Sequence, residues 1–211
     1  VPAPNPRAIG GAAMTRRVLL VFAHPDEASY SSALRDLVVR VSGERGSEVR
    51  LHDLYASGFS PVVSANEWTL RGAAPETKPH LSPYFDDVAW CDTLVFVYPT
   101  WWSGQPAVLK GWIDRVLANG VAWNLDESSG HALPALRNIT RIVAITTHGR
   151  SRTVNLICGR AGRATIMRNV RRLCSWRCRA RWVALYSLDR STRFERDRFM
   201  RRVERLLRRI V

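Results

Sequence analysis

Three short stretches hold the residues best suited to chemistry: HPDEASYS at 24–31, PTWWSGQ at 99–105 and TTHGRSR at 146–152. The first sets His24 close to Ser29, Tyr30 and Ser31, just ahead of a helical pattern. Hydroxyls and free backbone N–H groups at a helix start suit an anion, most often a phosphate. The same serines could equally serve only as the helix cap. The second stretch puts two indoles side by side after Pro99 and Thr100, followed by Ser103 and Gly104. The flat faces of Trp101 and Trp102 can wall a slot for a planar ring, and Gly104 lets backbone come close to it. Packing in a core or an interface is the competing use of that pair. The third stretch offers Thr146, Thr147, His148 and Gly149. Their backbone N–H groups can meet the carbonyl edge of a heteroaromatic ring, whereas a single loop histidine usually has no such role. Neither GxGxxG nor GxxxxGKS/T occurs in these stretches, which excludes the dinucleotide fingerprint and the P-loop there.

These residues act together only if the chain folds so that they meet. Four segments are apolar almost throughout: 18–23 (VLLVFA), 93–98 (TLVFVY), 139–147 (ITRIVAITT) and 182–188 (WVALYSL). Strands of that kind are covered on both faces, as in a parallel sheet. Segment 48–54 (EVRLHDL) alternates in polarity, as an edge strand does. Between them Leu34, Leu37, Val38 and Val41 recur at helical spacing, with Ser31 or Ser32 as the expected cap. Leu109, Trp112, Ile113, Val116 and Leu117 do the same, with Pro106 in the first turn. A last helix at 192–210 has Phe199, Val203, Leu206, Leu207 and Ile210 as its apolar stripe. Alternating strands and helices mean an α/β fold. Right-handed crossovers over five strands give a three-layer, flavodoxin-like domain with strand order 2-1-3-4-5 and helices on both faces. In that order the loops after the first, third and fourth strands converge where the strand order reverses, and those are the three stretches above. Segments 55–82 and 119–137 read as long loops, the first with room for one short helix.

The chain has 211 residues and 46% apolar content, enough for one domain, placed at 16–211. Residues 1–15, rich in Pro, Gly and Ala, read as a flexible tail or a non-native leader and not as a signal peptide. No apolar run reaches the roughly 18 residues of a membrane span, so a soluble protein without membrane insertion is expected. Cys91, Cys158, Cys174 and Cys178 read as unpaired thiols of a reducing cytoplasm, with no metal site. Residues 1–136 carry a net charge of −3 and residues 137–211 a net of +17. The basic half, and above all segment 160–181 with Trp176, could bind a polyanion, but no recognised nucleic-acid motif accompanies it. A solvated arginine face is the plainer reading.

Taken together, AHPDEASYS, YPTWWSGQPAVLKGWIDRV and AITTHG resemble the NAD(P)H:quinone oxidoreductase family of flavodoxin-fold flavoproteins, as does DLYASGFSPVVSANEW. The likeness runs from about Val18 to Gly149 and rests most on the tryptophan stretch. The resemblance implies a bound flavin, a homodimer with its active site between subunits, and NADPH or NADH as co-substrate. It implies two-electron hydride transfer through flavin N5, in ping-pong fashion, to a quinone or similar small-molecule acceptor. On this reading His24, Ser29, Tyr30 and Ser31 hold the flavin phosphate region. Pro99, Thr100, Trp101, Trp102 and Ser103 run along the ring system, and Thr146, Thr147, His148 and Gly149 meet its pyrimidine edge. The DLYASGFSPVVS segment is closer to the FAD-using branch, which makes FAD the expected cofactor and FMN the alternative. Where some members have a glycine pair and then a tyrosine and a histidine, this sequence has His148-Gly149 and Val154. His148, Arg150 or Arg152 would then offer positive charge to the reduced ring, with His148 and Arg152 as the expected catalytic pair. A regulatory flavoprotein ancillary to an ion-efflux system is the alternative the same fold allows.

Overall fold

The computed structural model describes residues 15–73, 75–126 and 128–211. The tail expected at 1–15 lies, apart from Thr15, outside the described residues.

Five strands build one parallel sheet: β1 (Arg17–Phe22), β2 (Glu48–Asp53), β3 (Thr93–Thr100), β6 (Arg141–His148) and β7 (Arg179–Leu185). Two short strands, β4 (Trp123–Leu125) and β5 (Ala132–Pro134), form a separate antiparallel hairpin. The order in the sheet is β2-β1-β3-β6-β7, all parallel. With the hairpin set aside, this is the expected 2-1-3-4-5.

Strand alternation sends successive side chains into two separate layers. Val18, Leu20 and Phe22 of β1 pack with Leu34, Leu37, Val38 and Val41 of α1 (Tyr30–Glu44), and with Phe199, Val203 and Leu207, on the far C-terminal helix. Leu19 and Val21 face the other way, into a layer holding Phe85, Val88, Leu109 and Trp112. That layer is made by α3 (Ser82–Trp90), α4 (Ala107–Val116) and a π-helical turn at Thr165–Val170. Each fully buried aliphatic or aromatic side chain of this kind contributes roughly 1.5–3 kcal/mol of transfer free energy, so the two layers fix the sheet and the loops at its ends.

The remaining helices are α2 (Ala65–Thr69), α5 (Arg152–Ile157), α6 (Ala161–Ala164), α7 (Arg171–Leu173) and α8 (Arg193–Leu207). Several boundaries differ from expectation. The cap of α1 is Ser29, whose Oγ accepts the Ser32 N–H at 3.1 Å, not Ser31 or Ser32. Pro106 is the N-cap residue of α4 rather than part of its first turn. β7 starts and ends three residues earlier than expected, because Arg179 and Arg181 point outward from an edge strand and mask its start.

The 55–82 segment is more ordered than a long loop, and one ion pair explains why. Ser64 and Glu67 form a capping box on α2. The Glu67 Oε1 atom then accepts from Arg115 Nε at 3.0 Å and Nη2 at 2.8 Å, with both side chains buried. Arg115 Nη1 also donates to the Ser60 carbonyl. A β-carbon at Gly111 would lie 2.3 Å from Pro61 Cα, so α4 carries a glycine where this segment crosses it. The 119–137 segment closes on itself as the β4–β5 hairpin.

Candidate functional site

The carboxyl ends of β3 and β6 lie side by side, pairing Pro99 with Thr147 and Thr100 with His148. Directly after Thr100 the chain reverses. Trp101 N–H donates to the Gly104 carbonyl at 3.2 Å, and Gly104 N–H donates back at 2.9 Å. The two residues between, Trp102 and Ser103, have φ of 49° and 60°. A two-residue reversal with both central residues at positive φ normally takes Asn or Gly, so a tryptophan there is strained. Trp102 is fully exposed and Trp101 is 42% exposed. Burial therefore does not explain these indoles. The turn is clamped from behind: Gly162 N–H donates to the Ser103 carbonyl at 3.0 Å, and the Gln105 amide donates to the Gly162 carbonyl at 2.8 Å. The close backbone approach expected at Gly104 occurs at Gly162, where a β-carbon would lie 3.3 Å from Gly104.

His148 is 3% exposed and ends β6. The Asn155 amide donates to its Nδ1 at 3.4 Å, which leaves the ring proton on Nε2, 3.3 Å from Thr100 Oγ1. Thr100 Oγ1 in turn lies 2.8 Å from Thr146 Oγ1. Tyr186 stacks on the imidazole at 4.5 Å. Burial lowers the pKa of His148 to about 4. At neutral pH the ring is therefore uncharged, and the positive charge expected of it must come from elsewhere.

The cleft above these residues has a volume of about 890 Å³. Thr100, Trp101, Trp102, Ser103, His148 and Gly149 line it, together with Arg150, Ser151, Val154, Asn155, Cys158, Ser187, Asp189 and Arg190. Six of the expected site residues thus share one cavity. Pro99, Thr146 and Thr147 are buried and support it from the strand ends. Arg152 is exposed on the first turn of α5 and does not line the cleft, whereas Arg150 and Arg190 do.

His24, Ser29, Tyr30 and Ser31 are not among the cleft's lining. They surround the start of α1, on the loop after the neighbouring strand β1. His24 Nδ1 accepts the Asp26 N–H at 3.0 Å. Ser29 Oγ is engaged with both Ser32 N and Ser32 Oγ. The Tyr30 hydroxyl donates to the Arg196 carbonyl of α8 at 2.7 Å, and burial raises its pKa to about 12. These side chains therefore secure the loop and tie it to α8. The amide N–H groups of the first helical turn, at Tyr30 and Ser31, have no intrahelical acceptor by the geometry of any α-helix.

Sequence reasoning missed the wall built by Ser187, Asp189 and Arg190. They follow β7 just as the other site loops follow their strands, and the late placement of the fifth strand hid them. Asp189 sits so close over Gly149 that a β-carbon there would meet Asp189 Oδ2 at 2.8 Å.

A family model described as flavodoxin-like fold matches residues 16–208. The chain belongs to the flavodoxin-like family. Within it, this flavodoxin-like chain is 35% identical over 123 residues to an uncharacterized NAD(P)H oxidoreductase of Haemophilus influenzae, covering 57% of this chain and 58% of that protein. It is 31% identical over 153 residues to NAD(P)H dehydrogenase [quinone] 1 of Cavia porcellus, covering 65% and 55%. The chain thus spans a little over half the length of the curated relatives it matches. Among solved structures, a protein of Streptococcus mutans superposes with a TM-score of 0.78 at 27% identity, covering 92% of this chain and 99% of that one. The NAD(P)H:quinone oxidoreductase of Methanothermobacter marburgensis, at 23% identity and a TM-score of 0.76, covers 93% of this chain and 97% of its own, and shares the fold.

Proposed function

We propose that this flavodoxin-like chain is a flavin-dependent NAD(P)H oxidoreductase that passes two electrons, in ping-pong fashion, to a quinone or similar small acceptor. The observation that carries the reading is the meeting of the exposed tryptophan turn with the His148–Gly149 strand end in one cleft. The cleft's residues fit a flavin. Its volume lies within the range of roughly 300–1,000 Å³ usual for small-molecule and cofactor sites. Two exposed indoles offer flat faces, the His148–Ser151 loop offers backbone N–H groups, and two guanidinium groups offer positive charge. The names of the relatives support the same class of activity.

A bound flavin would supply the hydride acceptance and donation that no side chain can provide. The chain's own residues would do the rest. Trp101 and Trp102 would flank the ring and the substrate laid on it. His148, locked neutral and held by Asn155 and Thr100, would act as a fixed hydrogen-bonding group and not as a proton source. Arg150, one of the three residues expected in that role, and Arg190 would favour negative charge on the reduced ring. The free N–H groups at the start of α1, with His24 beside them, would take the phosphate end. We assign FAD, with FMN as the alternative, and NADPH or NADH as donor.

The surface around the cleft supports a homodimer. Val154, Leu156 and Ile157 of α5 are exposed together with Trp101 and Trp102. Apolar surface of that extent is what a second subunit covers. Among the described residues no helix is long and apolar enough to cross a membrane. A cytoplasmic location suits Cys158, a free thiol exposed at the cleft. The test is steady-state oxidation of NADPH and of NADH with benzoquinone as acceptor. Parallel-line double-reciprocal plots are expected; bound flavin without turnover would overturn the enzymatic reading.

A further inference from the structure

A strongly basic surface lies on the outer edge of the sheet, outside the cleft. There a groove of about 300 Å³ runs between β7 and α8, lined by Arg181, Trp182, Val183, Arg202, Arg205, Leu206 and Arg209. Arg202, Arg205 and Leu206 of α8 and Arg209 in the turn just after it are spaced i, i+3, i+4, i+7, so they continue one stripe. The β7 residues are three in a row, so the groove follows the strand's edge and reaches its main chain. Among the described residues β7 pairs only with β6, and its other edge accepts no strand.

Among the described residues no carboxylate pairs with the four guanidinium groups. The basic half has four acidic residues, and each is placed elsewhere. Asp189 lies over Gly149 in the cleft, and Glu195 closes the capping box of α8. Glu204 pairs with Arg208 at 2.9 Å, while Asp197 acts on Tyr30. Arg181, Arg202, Arg205 and Arg209 form no ion pair among the described residues. A second copy of this chain cannot pair edge to edge here, because it would bring the same arginines face to face. A nucleic acid would answer the charge but not the alternating donors and acceptors of a free strand edge.

We propose that this groove binds an extended acidic peptide segment, which adds as a sixth strand alongside β7 and sets its carboxylates against Arg181, Arg202, Arg205 and Arg209. Main-chain hydrogen bonds supply register and the carboxylate–guanidinium pairs supply selectivity. Apolar side chains on the opposite face of the peptide would rest on Trp182, which packs on the other layer of the sheet.

Fluorescence anisotropy with a labelled peptide of four Val-Glu repeats, on the full chain, tests this. Saturable binding is expected. The charge-reversed variant R202E/R205E/R209E, whose altered side chains are all exposed on α8 and the turn that follows it, should bind at least about tenfold more weakly while its oxidation of NADPH is unchanged. A peptide of equal charge with proline at alternate positions, which cannot pair with a strand, should also bind at least about tenfold more weakly. Any of three results would overturn the proposal: no binding by the wild-type chain, equal binding of the proline peptide, or tighter binding of an oligothymidylate of equal charge.

Discussion

Replacing His148 by Gln should flatten the acid sensitivity of this protein by an amount the structure sets. Burial lowers the folded-state pKa of His148 to about 4, against 6.5 for the free side chain. The folded ring therefore refuses a proton that the unfolded chain accepts. Stability due to His148 is complete above about pH 6.5, falls as pH drops through the unfolded value, and levels off only below about pH 4. Evaluating the linkage between about pH 8 and pH 5 gives a loss of about 2 kcal/mol from this one residue. The assay is urea unfolding of the wild type and H148Q at a series of pH values, with an NMR titration of the imidazole. His52, also lowered by burial against the opposing pull of Asp87, contributes equally to both proteins and cancels in the comparison. The expected result is a wild-type decline steeper than that of H148Q by about 2 kcal/mol over this range. Identical declines, or an imidazole titrating near its ordinary value, would refute the claim that the cleft holds a neutral histidine.

The strain at the tryptophan turn gives a second expectation. W102G should raise stability by up to about 1 kcal/mol, because glycine accepts the positive φ, yet it should weaken retention of a flavin or acceptor. Thermal unfolding and a cofactor titration read the two effects separately. Breaking the Glu67–Arg115 pair from one side, in R115M, should cost about 3–5 kcal/mol in urea unfolding by leaving a buried carboxylate without its cation. The double variant E67L/R115M should recover part of that loss. G111A should destabilise by several kcal/mol, because the new methyl meets Pro61 backbone and not a movable side chain; a change below about 1 kcal/mol would show that the 55–64 segment can move aside.

The fold was legible because its signals are long and redundant. Apolar runs such as VLLVFA and TLVFVY, short and rich in β-branched and aromatic residues, read as two-faced strands, and α1 and α4 carry unbroken helical stripes. The sheet order followed from handedness and strand count. Where side chains and main chain compete, the sequence was weaker. β7 opens with the alternating RAR triplet, so apolarity alone placed it three residues late. That shift concealed Ser187, Asp189 and Arg190, the third wall of the cleft. The 55–82 segment looked irregular because its order depends on a cation forty-eight residues from Glu67, a separation no local pattern records. The chemistry-bearing residues were visible as types, since paired indoles and a Thr-Thr-His-Gly run are hard to overlook. Their states were not. Trp102 is exposed and strained rather than packed, and His148 is uncharged because it is buried, which only the fold brings about.

The visible absorption spectrum of the purified protein, with the released cofactor identified by chromatography, tests the central claim most directly. A yellow protein carrying about one FAD per chain is expected, with the flavin bands lost from a variant lacking both indoles, W101A/W102A. A colourless protein that takes up neither FAD nor FMN on titration would contradict the assignment of the cleft.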